Sequence, residues 1–111
     1  MLVVGVGVTG EAVAGELAAG GDDVTVIEDA PRPRASKYRA RVERLADVGV
    51  QLVEAPLPAT IAEHLHWAEL VVPSPGVPER HLALVEARVH GVPIRSEIDL
   101  AAERAAMPIV A

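Results

Sequence analysis

Val3-Val4-Gly5-Val6-Gly7-Val8-Thr9-Gly10 is the stretch that decides how this chain folds. An apolar run ends there, three glycines follow at the spacing Gly5-x-Gly7-x-x-Gly10, and a helical pattern begins. Such a turn leaves backbone N–H groups pointing outward at a helix N-terminus, where they can receive a phosphate without a basic side chain. Each glycine has its own role: Gly5 permits the tight turn, Gly7 the close approach of a pyrophosphate, and Gly10 the close packing of helix on strand. Three glycines at this spacing also arise by chance, so the motif takes its weight from its place between a strand and an amphipathic helix.

Outward from that turn, apolar runs alternate with helical patterns. Leu2-Val3-Val4 reads as the first strand, and 9–19 as the first helix, with Val13 and Leu17 at helical spacing and Gly20-Gly21 as its stop. A second strand is expected over 24–27, followed by an exposed loop marked by Pro31 and Pro33. Ser36 is expected to cap a helix reaching about Val48, with Val42 and Leu45 inward and Gly49 at its end. A third strand follows over 50–53, a proline-broken loop at Pro56 and Pro58, and a short helix over 60–65. The fourth strand, 70–72, is cut off by Pro73-Ser74-Pro75-Gly76. A helix over 79–90 carries Leu82, Val85 and Val89 on one side and closes at Gly91. Pro93-Ile94-Arg95 reads as a short fifth strand, and Ser96 with Asp99 as a capping box opening a last helix to roughly Ala105. Repeating units of this length imply an α/β fold: a Rossmann-like, doubly wound parallel sheet of about five strands in order 3-2-1-4-5, with helices on both faces. Residues 107–111 begin another strand with no continuation, so 1–111 is read as one domain of a longer protein.

Composition narrows the functional classes. A chain of 111 residues is about one domain. Its formal charge of −6 argues against a nucleic-acid surface, and the basic stretch from Arg32 to Arg44 reads as a solvated helix face. The sequence has no cysteine, hence no disulfide framework. No apolar run is long enough to cross a bilayer. With Tyr38 and Trp67 as its aromatic residues, the core must be built from Val, Leu, Ile and Ala, and Trp67 is expected in it.

In a sheet of this order ligands bind beyond the carboxyl ends of the strands, between strands 1 and 4. Glu28 and Asp29 end the second strand about 20 residues after the glycine turn, where an acid hydrogen-bonds ribose hydroxyls. Which of the two does so is open. The turn at Ser74, Pro75 and Gly76 can face the glycine turn across the switch point and bond a base or phosphate, or can be a plain turn. Thr9 can reach a phosphate or cap the first helix. His64 and His66 diverge on a helix, which argues against a metal site. His81 and His90 have no evident acidic partner. No nucleophile–base pair emerges, and the chain reads as a binder.

With those segments in view, the sequence resembles the N-terminal domain of the Mur ligases. The resemblance rests on Val4-Gly5-Val6-Gly7-Val8-Thr9-Gly10, on Leu70-Val71-Val72-Pro73-Ser74-Pro75-Gly76-Val77-Pro78, on Ser96-Glu97-Ile98-Asp99-Leu100, and on the closing Pro108-Ile109-Val110-Ala111. It implies a cytoplasmic, ATP- and Mg²⁺-dependent enzyme of peptidoglycan synthesis that joins D-glutamate to UDP-N-acetylmuramoyl-L-alanine through an acyl phosphate. By the same resemblance Gly5, Gly7, Val8, Thr9 and Gly10 lie at the uracil and diphosphate. Glu28 and Asp29 lie at the uracil–ribose end, and Ser74, Pro75 and Gly76 form the opposite wall. The ATP loop, magnesium ligands and carbamylated lysine fall in other domains, so this chain alone is expected to hold no cofactor and to show no ligase activity. Nucleic acid and membrane are not expected partners. The sequence departs from the family in placing Ala30 and Pro31 before Arg32, which puts a direct arginine contact in doubt. The alternative is an NAD(P)-binding regulatory or dehydrogenase domain, which shares the glycine turn and the acid but gives no reason for the Ser-Pro-Gly turn.

Overall fold

Short β-branched runs alternate with alanine- and leucine-bearing helices, and the fold follows from burying both. The structure, a computed structural model, describes residues 1–75, 77–96 and 99–100, with Val8 and Thr9 described by their backbone alone. The elements in chain order are β1 (Leu2–Val4), α1 (Val8–Ala19), β2 (Thr25–Glu28), α2 (Ser36–Asp47), β3 (Gln51–Glu54), α3 (Pro58–Trp67), β4 (Val71–Pro73) and α4 (Leu82–His90). All strand pairings are parallel, in the order β3-β2-β1-β4. Ile94 makes a single parallel bridge to Val71, which puts it in the fifth position of the expected order without a full strand. The expected last helix to Ala105 and the strand at 107–111 lie outside the described residues. Its opening is seen: Ser96 and Asp99 exchange backbone–side-chain hydrogen bonds of 3.0 and 3.3 Å, a reciprocal cap.

Because successive side chains of a strand point to opposite faces, the sheet feeds two cores. Val3, Val26 and Val72 point to one face, where Ala14 and Leu17 of α1 and Tyr38 and Leu45 of α2 cover them. Leu2, Val4, Ile27 and Val71 point to the other, under Ile61 and Leu65 of α3 and Ala83, Leu84 and Ala87 of α4. No buried side-chain nitrogen or oxygen among the described residues lacks a partner. Burying a Leu side chain contributes about 2 kcal/mol, and Leu2, Leu17, Leu45 and Leu65 are all fully buried.

Three local expectations are corrected, and the buried side of α4 is settled. Ser36 does not cap α2: Ala35 is the N-cap, without a side-chain bond, and Ser36 is the first helical residue. Helix α3 spans Pro58–Trp67 rather than 60–65; it starts at Pro58 because proline fits the first turn, where its missing N–H costs nothing. Trp67 is not core but 79% exposed, at the last position of α3, edge-on to His66. On α4 the side bearing Leu82, Val85 and Val89 faces solvent, and Ala83, Leu84 and Ala87 face the sheet. Alanines permit the close approach of α4 to its neighbours that larger residues would block.

Candidate nucleotide-binding site

The switch point lies where β1 leads into α1 and β4 into the Ser74 turn, side by side at the carboxyl end of the sheet. Gly5 has φ of +99°, a left-handed conformation that L side chains resist, and its N–H donates to Ile27 O at 2.8 Å. That bond extends the β1–β2 ladder by one rung, and the chain then leads into α1. Gly10 sits against that turn so closely that a Cβ there would lie 2.1 Å from Gly5 O. Ser74 completes the contact: its N–H donates to Val4 O at 2.9 Å and its hydroxyl to Gly5 O at 3.1 Å. The Ser74 turn therefore faces the glycine turn across the switch point. Gly76 lies outside the described residues, and Pro75 is exposed.

Gly7 is different. It is the N-cap of α1 in an extended conformation, and a Cβ on it would meet nothing within 4 Å. The amides of the first helical residues, Val8, Thr9 and Gly10, have no carbonyl before them in the helix to bond. The site thus presents a positive helix end beside open space. Since Gly7 is the cap, Thr9 is not; it falls in the first helical turn. Glu11 in the same turn adds a negative charge, but Arg44 of α2 grips it through two hydrogen bonds, 2.6 and 2.9 Å. That guanidinium holds the Glu11 carboxyl below the usual range, and its own charge offsets the carboxylate.

The two acids after β2 separate. Glu28 accepts from the Val6 N–H with one oxygen and from the Ala30 N–H with the other, both at 3.1 Å, so it ties the glycine turn to the next loop. Asp29 reaches the other way, to His81 Nε2. This corrects the expectation that His81 and His90 have no acidic partner, since His90 Nε2 also lies 3.4 Å from Glu86. His81 is the N-cap of α4, and its Nδ1 accepts the Ala83 N–H at 3.0 Å, so Nε2 carries the proton that it donates to Asp29. The side chain is mostly covered while Asp29 is half exposed. Sequence reasoning missed His81 because residues 29 and 81 are joined by no local spacing. The strand order was the available signal, since it sets the loops after β2 and β4 on either side of β1.

Among the described residues no three His, Cys, Asp or Glu side chains are grouped to hold a metal, and no helix is long and apolar enough to cross a membrane. What the arrangement can do chemically is hold an anion and orient what is attached to it.

Fold and site together define the class: a Rossmann-like α/β domain with a glycine turn at its switch point. The chain belongs to the MurD-like N-terminal domain family of the Mur ligases, whose family model matches residues 1–96. It is 37% identical over 111 residues to a UDP-N-acetylmuramoylalanine–D-glutamate ligase of Desulfatibacillum aliphaticivorans, covering all of this chain and 23% of that protein. A ligase of the same description from Mycolicibacterium vanbaalenii is 35% identical over 101 residues, 91% of this chain and 19% of that one. The chain therefore spans less than a quarter of the length of these relatives. Among solved structures, UDP-N-acetylmuramate:L-alanyl-gamma-D-glutamyl-meso-diaminopimelate ligase from Neisseria meningitides superposes with a TM-score of 0.68 at 21% identity, over 92% of this chain and 29% of that one. That likeness bears on the fold.

Proposed function

We propose that this chain is the domain that holds the uridine diphosphate end of UDP-N-acetylmuramoyl-L-alanine within an ATP-dependent ligase that adds D-glutamate to it in the cytoplasm. The observation that carries the reading is the open space at Gly7 over the amide end of α1, in a chain whose family is that of the Mur ligases. The diphosphate lies along Gly7 and the amides of Val8, Thr9 and Gly10, where backbone donors and the helix dipole act together. Gly5 shapes the turn beneath it. Glu28 and Asp29 stand at the uridine end; each carboxylate keeps acceptor capacity beyond the bonds described above. Ser74 and Pro75 form the facing wall.

In this reading the chain performs no bond-making step. ATP, Mg²⁺ and D-glutamate belong to parts of the enzyme outside residues 1–111, and the chain's contribution is to fix the long substrate by its far end. The test is a titration of the chain with UDP-N-acetylmuramoyl-L-alanine, with NAD and NADPH in parallel, followed by amide chemical shifts. Saturable shifts at Gly7, Glu28 and Ser74 with the uridine nucleotide alone are expected. A response to NAD in its place overturns the reading.

A further inference from the structure

A second feature of the crest lies on the α2 side of Glu28. An open cleft of about 390 Å³ is bounded there by Val6, Glu28, Arg32, Lys37, Tyr38 and Arg41. It brings three of the ten basic residues of a chain of net charge −6 to one concavity. Arg32 comes from the loop after β2, fixed by a turn in which Ala35 N–H donates to Arg32 O at 2.9 Å. Lys37 and Arg41 stand four apart on α2 and so share one face, where like charges repel.

Little in the protein neutralises them. None of the three side chains has a hydrogen-bond or ion-pair partner among the described residues; Arg41 does lie within electrostatic reach of Glu11, whose oxygens Arg44 already engages. The carboxylate in the cleft, Glu28, is spoken for by the amides of Val6 and Ala30. The Tyr38 hydroxyl is turned away, donating to Glu54 at 2.9 Å. Three cations against one engaged carboxylate leave the cleft with a net positive charge in an otherwise acidic chain. Its volume exceeds that of a single water, about 30 Å³, more than tenfold, enough for a hydrated phosphate or a phosphate with a small organic body.

We propose that this cleft binds a phosphate-class oxyanion, held by Arg32, Lys37 and Arg41 at a place distinct from the amide end of α1. The proposal needs neither Gly7 nor the Ser74 turn, although the cleft shares Glu28 with the uridine end of the proposed nucleotide site. Two sources supply such an oxyanion: a free phosphate compound, or an anionic group carried by the molecule bound at the glycine turn.

The experiment is a titration of the 111-residue chain with inorganic phosphate at constant ionic strength, with chloride as the comparison salt, followed by the amides of residues 32–41. Saturable shifts confined to that segment are expected. The double variant Lys37→Gln/Arg41→Gln should weaken them about a hundredfold, since each charged hydrogen-bond partner contributes roughly tenfold. Arg41→Lys should keep most of the affinity, and Arg39→Gln, outside the cleft, should leave it unchanged. Repeating the titration with UDP present separates the sources: undiminished phosphate binding assigns the cleft to a free anion, and competition assigns it to a group on the nucleotide ligand. Shifts equal to those caused by chloride, or an affinity unchanged in the double variant, overturn the proposal. If UDP fails to bind while phosphate saturates, the nucleotide reading falls and this one stands.

Discussion

The two halves of the glycine turn obey opposite rules. In the closed half, Gly5, Gly10 and Ser74 are packed so tightly that a single added carbon at Gly10 would lie 2.1 Å from a carbonyl oxygen. In the open half, the same carbon added at Gly7 meets nothing within 4 Å. One motif therefore contains a structural lock and a vacant place. The protein has no use of its own for a glycine at Gly7, whose backbone is extended and open to any residue. Under the proposed function, the difference marks where a ligand, rather than the fold, sets the limit on side-chain size.

Substitutions can break that comparison at graded cost. Gly10→Ala should have the largest effect, about 3 kcal/mol or failure to fold, because backbone must move to admit the methyl group. A urea midpoint near that of the parent chain would mean that the two turns are less tightly locked than described. Gly5→Ala comes next, at about 2 kcal/mol. Its φ of +99° is strained for alanine, and the Ser74 hydroxyl stands 3.2 Å from the new carbon. His81→Ala removes the α4 cap together with the bond to Asp29 and should cost about 1 kcal/mol, with His81→Asn recovering part of it as an alternative cap. Comparing the denaturation curves of the two variants checks this.

The smallest effect concerns Glu11. Its carboxyl is held below the ordinary value of 4.5 by the hydrogen-bonded Arg44 guanidinium. A depressed carboxyl stabilises the fold above its unfolded value, and that contribution fades as pH falls below about 4.5 through the folded value. Glu11→Gln should therefore lower the melting temperature slightly at neutral pH and flatten its decline on the acid side. Parallel curves for the two proteins at every pH would show that the pair contributes nothing.

Much of this arrangement was legible in the sequence, because local chemistry fixed it. The roles of Gly5 and Gly10 followed from spacing, the parallel order from alternating strand and helix patterns, and the Ser96–Asp99 cap from two residues. What escaped was non-local or depended on packing. Asp29 meets His81 only once β1 lies between β2 and β4. The buried side of α4 was hidden by composition: Leu82, Val85 and Val89 are the more hydrophobic set, yet close helix packing selects Ala83, Leu84 and Ala87. Trp67 misled for a related reason, since its size suggests burial but its place at the end of α3 leaves it in solvent. The two acids were told apart only by geometry, Glu28 toward the turn and Asp29 toward α4.

The central claim is that Gly7 is kept open for a diphosphate, and one paired measurement addresses it: UDP-N-acetylmuramoyl-L-alanine affinity and urea stability of the parent chain and of Gly7→Val. The account predicts stability within about 1 kcal/mol of the parent, the range for a changed N-cap, with nucleotide binding lost. A folded Gly7→Val chain that binds the nucleotide as tightly as the parent would contradict it.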